Sequence, residues 1–242
     1  MQIALISDIH GNLEALQAVL NDIEGLQVDE IHCLGDVIGY GCDPVACLEL
    51  VEKTCTTKLI GNHEYVILGL LPQEQLNSIA RSSLSWTLEQ LTEREKNMLS
   101  DFEMSRTIGD VELVHASPFE PDQWQYIISH DSAETALGHT ASRICFFGHT
   151  HLPMIFSTRQ DGSVRQQSGH DFLPDPDSRY LVNVGSVGQP RDNDPRACYT
   201  IYDTENREIT YHRVDYDIEQ AQTKMSQARA SSMLIERLAV GR

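Results

Sequence analysis

This sequence predicts an α/β fold built on a parallel sheet, on three grounds. Short apolar runs alternate with amphipathic helical stretches from Gln2 to Ile60, each run stops at a cluster of polar residues and glycine, and the later chain returns to short strands with no long Ser/Gly linker. A β-α-β-α-β order of this kind packs helices against a parallel sheet. The later strands suffice for a second sheet within one domain.

Gln2–Ser7 reads as a buried strand (Ile3, Ala4, Leu5, Ile6) that stops at Asp8. Leu13, Leu16, Leu20 and Ile23 then recur at helical spacing, with Asn12 as the N-cap and Gly25 near the stop. Glu30–Leu34 is a second strand ending in Gly35-Asp36, and Pro44–Lys53 a helix with proline in its first turn. Lys58–Ile60 is the third strand, ending in Gly61-Asn62-His63-Glu64. Pro72–Asp101 is helical in composition, with Thr92 and Glu95 as a capping box. Strands resume at Val111–Val114 and, after a helix around Ser132–Leu137, at Arg143–Phe147. Further strands are expected at Met154–Ser157, Tyr180–Val184, Ala197–Tyr202 and Glu208–Val214. Asp161-Gly162 is a hairpin turn signal, Gly169–Ser178 a loop, and Asp217–Leu238 a closing helix.

Composition narrows the function classes. Eighteen basic against 36 acidic side chains give a net charge of −18, which argues against strong nucleic-acid binding. Phosphate substrates stay open, because bound cations can reverse the local sign. With 40% hydrophobic and 22% charged residues the chain is globular rather than disordered or fibrous. No apolar run approaches the ~20 residues that span a bilayer, so no membrane partner is expected. The six cysteines form no C-x-x-C pair, and no secretory leader opens the chain. Reduced thiols and a cytoplasmic location are the expectation.

The chemistry concentrates at strand ends. Asp8 and His10 follow the first strand, Asp36 the second, and Asn62 and His63 the third. His115 follows Val111–Val114, and His149 and His151 follow Arg143–Phe147. Ligands of open parallel sheets bind at the carboxyl ends of the strands, so the fold itself would gather these side chains. Two carboxylates, an amide and five imidazoles suit borderline divalent ions such as Mn²⁺, Fe²⁺, Zn²⁺ or Ni²⁺. Glycines beside them (Gly11, Gly35, Gly61, Gly148) permit the sharp turns that aim neighbouring side chains. His32, His130, His170 and His212 fall outside this pattern and read as structural or surface residues. Trp86 and Leu88 read as packing.

Asp8-Ile-His10, Gly35-Asp36, Gly61-Asn62-His63-Glu64, Val114-His115 and Gly148-His149-Thr150-His151 resemble the calcineurin-like metallophosphoesterase superfamily. The stretch Asn183-Val-Gly-Ser-Val-Gly-Gln-Pro-Arg191 resembles a loop of its small bacterial and archaeal phosphodiesterase-like branch. The resemblance implies a four-layer α/β/β/α sandwich of two mixed sheets. It implies one such domain over 1–242, with a helical insert around 71–103. It also implies two divalent metal ions, manganese first. Asp8, His10 and His151 would hold one ion, Asn62, His115 and His149 the other, and Asp36 would bridge them. His63 matches the family histidine that sits beside the scissile phosphate without binding metal. The implied activity is hydrolysis of small phosphodiesters, phosphomonoesters or nucleotide anhydrides, by a metal-activated hydroxide with His63 as general acid.

One departure bears on substrate. In the protein-phosphatase branch the Gly-Asp motif continues with an aspartate and a phosphate-gripping arginine. Here the run is Gly35-Asp36-Val37-Ile38-Gly39-Tyr40-Gly41, which lacks both. Arg191 is the candidate substitute, because a guanidinium suits bidentate phosphate contact. The alternatives are a phosphoprotein (Ser/Thr) phosphatase and, from another class, a catalytically weak binding or regulatory protein on the same fold.

Overall fold

The computed structural model describes residues 1–74 and 76–242. In chain order the first elements are β1 (Gln2–Ile6), α1 (Leu13–Glu24), β2 (Glu30–Cys33), α2 (Pro44–Thr54), β3 (Thr57–Lys58), α3 (Asn62–Ile67), α4 (Ser78–Gln90) and α5 (Glu93–Ser100). Then come β4 (Ser105–Ile108), β5 (Val111–Val114), α6 (His130–His139), β6 (Ile144–Phe147), β7 (Met154–Thr158) and β8 (Val164–Ser168). The chain closes with β9 (Tyr180–Asn183), β10 (Ala197–Asp203), β11 (Glu208–Val214), α7 (Ile218–Gln227) and α8 (Ser232–Leu238).

Two mixed sheets result. One has the order β11-β10-β1-β2-β3, the other β4-β5-β6-β9-β7-β8. β1, β2 and β3 are parallel, as are β5, β6 and β9; the other strands pair antiparallel with their neighbours. Strand alternation separates the layers. Ile3 and Leu5 join Ile144, Phe146 and Val182 between the sheets, whereas Ala4 and Ile6 face Leu16, Val19, Leu48 and Val51 of α1 and α2. On the second sheet, Cys145 and Phe147 turn the other way, onto Ala133, Ala136 and Leu137 of α6. The layers therefore run helix, sheet, sheet, helix. A one-residue slip of β1 would exchange its two apolar faces between two different cores, which fixes its register.

Local signals place most elements where expected. Asn12 caps α1 by accepting from the Ala15 N–H, and Thr92 and Glu95 form the capping box of α5. The structure differs at four points, the first being the short helix α3, which starts within the Gly61–Glu64 run. β4 and β8 are additional edge strands; β8 supplies the second arm of the hairpin announced by Asp161-Gly162. The third strand is only Thr57–Lys58, followed by an isolated bridge from Leu59 to Glu103. The closing helix is broken between α7 and α8, where Arg229 takes a left-handed φ of 59°. That break folds α8 back, so that Leu234 and Leu238 bury against Ala221 and Met225. Among the described residues no helix is long and apolar enough to cross a membrane.

Candidate metal centre

The loops after β1, β2, β5 and β6 and the first turn of α3 converge at adjoining sheet edges and bring Asp8, His10, Asp36, Asn62, His63, His115, His149 and His151 together, all buried. Three overlapping groups have ligand atoms within 4.8 Å of one another: Asp8–His10–His151, Asp36–His115–His149 and His10–Asp36–His63. Asp8, His10, Asp36, His149 and His151 all have φ between 51° and 64°. Non-glycine residues seldom adopt this region, and it costs on the order of 1–3 kcal/mol each, a strain that clusters at functional sites.

Backbone carbonyls fix the imidazoles. The Nδ1–H of His10, His115 and His151 donates to the carbonyls of Ile38 (3.2 Å), Leu34 (2.8 Å) and Gln189 (2.6 Å). Each ring therefore presents Nε2 to the centre. His149 is reversed: its Nε2 donates to the Trp124 carbonyl at 3.0 Å, which leaves Nδ1 facing inward. Such outer contacts set tautomer and ring orientation in metal sites.

This donor set fits a cation. With Nδ1 protonated, neutral His10 and His151 aim two bare Nε2 lone pairs at each other across 3.0 Å. Burial holds both imidazoles well below their ordinary value, so a shared proton does not relieve the conflict. A separation of about 3.0 Å is what two nitrogens at about 2.1 Å from one ion, at a right angle, would show. Asp8 Oδ1 lies 3.4 Å from His151 Nε2 and 3.9 Å from His10 Nε2. In the second cluster His115 Nε2 is 3.4 Å from Asp36 Oδ2, and the buried Asn62 Oδ1 has no hydrogen-bond partner among the described residues.

Charge reinforces the picture. Burial pushes the Asp8 carboxyl up to about 7. Burial would also raise Asp36, but the His115 and His63 charges outweigh it and hold Asp36 well below the usual carboxylate range. Burial would lower His115, yet the Asp36 carboxylate lifts it to about 9; His149 is driven down to about 3 by burial and then by His115. These strongly displaced values belong to one shared electrostatic unit, as expected of a functional site.

His63 sits over Gly39. A Cβ at Gly39, whose φ is 87°, would collide with Nδ1 of His63, so the position that holds the dyad aspartate in the phosphatase motif has no room for a side chain. Tyr40 packs its ring against His10 (4.6 Å between centroids) and His63 (4.7 Å), and the Arg191 guanidinium lies 6.0 Å above that ring. Arg191 is thus half-buried at the rim of the centre rather than free in solvent. Burial lowers the His63 imidazole, with Asp36 opposing.

A family model described as the calcineurin-like phosphoesterase superfamily domain matches residues 1–207. The chain belongs to that superfamily. It is 36% identical to an uncharacterized protein of Methanocaldococcus jannaschii over 99% of this chain and 98% of the other. The crystal structure of a metallophosphoesterase from Sphaerobacter thermophilus is 38% identical, covers 100% of this chain and 99% of that one, and superposes with a TM-score of 0.88. A hypothetical protein from Pyrococcus horikoshii, 19% identical, shares the fold with a TM-score of 0.80, over 100% of this chain and 98% of that one.

Several residues that shape this calcineurin-like phosphoesterase site carry no ligand-type signal of their own. Glu64, in the quoted Gly-Asn-His-Glu run, is fully buried and accepts from the N–H groups of Asp36 (3.0 Å), Gly61 (2.9 Å) and Ile38 (3.2 Å), tying two ligand loops together. Ser186 donates to the Asp8 carbonyl (2.8 Å), and Asn183 to the Gly148 carbonyl (2.6 Å). The Asn183–Arg191 stretch is therefore a brace beneath the loops carrying Asp8 and His149. Trp124 and Tyr126 wall the His149 side; the Tyr126 ring stacks on His149 at 4.3 Å. Trp86 lines a cavity of about 410 Å³ between α4 and the α7–α8 turn, with Tyr40 as its wall toward the centre.

Proposed function

We propose that this chain is a phosphoesterase dependent on two divalent metal ions, acting on small phosphodiesters and nucleotide anhydrides, with phosphomonoesters weaker. The observation that carries the reading is the facing pair of His10 and His151 Nε2 atoms beside Asp8, next to a second buried cluster that includes Asp36. Asp8, His10 and His151 would hold one ion, Asn62, His115 and His149 the other, with Asp36 bridging. The mixed nitrogen and oxygen donors favour manganese, with iron, zinc or nickel as substitutes. When bound, such ions act as Lewis acids that activate water and polarise the phosphoryl oxygens.

The protein's own part is positioning and proton transfer. His63 stands beside the centre, and its Nδ1 has no hydrogen-bond partner among the described residues. An anionic phosphate set against it favours the imidazolium, the form that donates a proton to a departing oxygen. Arg191 offers a guanidinium at the rim for a phosphoryl oxygen. Tyr40 occupies the place of the phosphatase arginine, so a monoester dianion lacks a partner that a diester monoanion does not need. The net charge of −18 adds long-range repulsion of acidic phosphoproteins.

The test is kcat/KM of the manganese-loaded protein and of His63→Gln on bis-p-nitrophenyl phosphate, on diesters with poor leaving groups and on a phosphoserine peptide. Diesters are expected to exceed the peptide. The variant is expected to keep its metals and to lose about 10²–10⁴-fold, most with poor leaving groups. Equal activity of variant and parent on a poor leaving group would refute the acid role of His63. A preference for the phosphopeptide would move the phosphatase reading ahead.

A further inference from the structure

In a chain with 36 acidic and 18 basic side chains, some half-buried cations pair with carboxylates. Arg213 pairs with Asp192, and Lys224 sits between Glu14 and Asp43. Other half-buried arginines, Arg143 and Arg179 included, lack a carboxylate partner among the described residues, and two of these arginines stand at the rim of the metal centre. Arg191, in the loop after β9, and Arg237, on α8, both donate to one neutral acceptor, Oε1 of Gln189, each at 3.0 Å. Among the described residues neither pairs with a carboxylate, and the Nε of each is buried without a partner. Burial, and then the Arg191 charge, hold the Arg237 guanidinium below its ordinary value.

The pair is tied to the centre through Gln189, whose backbone carbonyl accepts from His151 while its side chain gathers both guanidiniums. Two like charges sharing one neutral oxygen repel each other and become favourable when an anion joins them. Each guanidinium still has a free donor, and planar N–H forks match phosphate oxygens. A phosphoryl dianion balances the two charges and has oxygens for both forks.

We infer that Arg191 and Arg237, joined through Gln189, form a subsite for a second, non-scissile phosphoryl group, which makes phosphoanhydrides of the nucleoside polyphosphate type the preferred substrates. The inference rests on the phosphoesterase reading above. Hydrolysis of such a substrate adds one water: its oxygen joins the scissile phosphorus, the bridging P–O bond breaks, and the bond pair leaves on the second phosphate. The water protons pass to the products or to solvent. The guanidinium pair would hold the charge that gathers on this leaving phosphate.

Calorimetric titration of the metal-free, dialysed protein with methylenebisphosphonate and with orthophosphate tests the subsite without turnover. The parent should bind both ions, since a single phosphoryl group fills the guanidinium pair, and Arg237→Gln should weaken the binding of each at least tenfold. Arg237→Lys should restore it only in part, and thermal unfolding would verify that both variants fold. No binding of either ion by the parent, or undiminished affinity in Arg237→Gln, would overturn the inference. With manganese, Arg237→Gln should cost at least tenfold more in kcat/KM on a dinucleoside polyphosphate than on bis-p-nitrophenyl phosphate; equal losses would also overturn it. Failure of the parent to hydrolyse any phosphate ester would instead sink the phosphoesterase reading, and the calorimetric result would stand apart from it.

Discussion

Replacing Glu64 isolates what a single buried carboxylate does for two ligand loops. Its Oε2 accepts from the N–H groups of Asp36 and Gly61, and its Oε1 from that of Ile38, at 2.9–3.2 Å. Glutamine keeps one acceptor oxygen and turns an NH₂ toward a donor, so at least one buried N–H loses its partner. That costs about 1–3 kcal/mol. Alanine strands all three, a simple sum of about 3–9 kcal/mol that water entering the vacated space brings toward the lower end. The comparison belongs at pH 8, above the value of about 7 to which burial raises the Glu64 carboxyl. It belongs in metal-free protein, because bound ions would add their own stabilisation. Urea midpoints at unchanged m should fall in the order parent, Glu64→Gln, Glu64→Ala. Metal affinity should fall by about 10–100-fold in Glu64→Gln, as the loops carrying Asp36 and Asn62 lose their tie. A Glu64→Gln protein within about 0.5 kcal/mol of the parent would refute the bracing role, since that is the range of inconsequential surface changes.

Other outcomes follow from the same geometry. Gly39→Ala should cost about 1–2 kcal/mol for its left-handed backbone and push His63 aside, so that kcat drops toward the His63→Gln value while elemental analysis shows full metal content. Asp36→Asn should weaken both metal sites together, whereas His10→Ala should weaken mainly one; titration with Mn²⁺ followed by calorimetry distinguishes the two. Chelation of metals present at about 100 times their Kd should remove about 2.7 kcal/mol per site, which differential scanning calorimetry would read as a fall of roughly 5–10 °C in Tm per site.

What was legible in the sequence, and what was not, has a physical pattern. The convergence of these polar side chains was legible because buried parallel strands are continuous apolar runs, and Asp8, Asp36, His115 and His149 interrupt or follow such runs directly. α5 was legible from Thr92 and Glu95, since a capping box acts within four residues. The edge strands were not: Ser105–Ile108 is largely exposed and Val164–Ser168 is mostly polar, so neither shows the apolar alternation of a half-buried strand. The break of the closing helix hides in a stretch without glycine or proline, and comes from the burial of Leu234 and Leu238 against α7. The braces were also hidden. Ser186 and Glu64 act on backbone atoms, and Gln189 on His151 and two guanidiniums, all brought near by the fold, and no spacing rule reports such partners. Arg237 joins the site from the last helix, at a sequence distance that no motif spans.

The central claim is that one carboxylate, Asp36, joins two metal sites. Crystals of the manganese-loaded protein, measured at the manganese absorption edge, test it most directly. Two anomalous peaks per chain are expected, one among Asp8, His10 and His151, the other among Asn62, His115 and His149, with Asp36 within coordination distance of both. A single peak at full metal loading, or two peaks of which one lies away from Asp36, would contradict it.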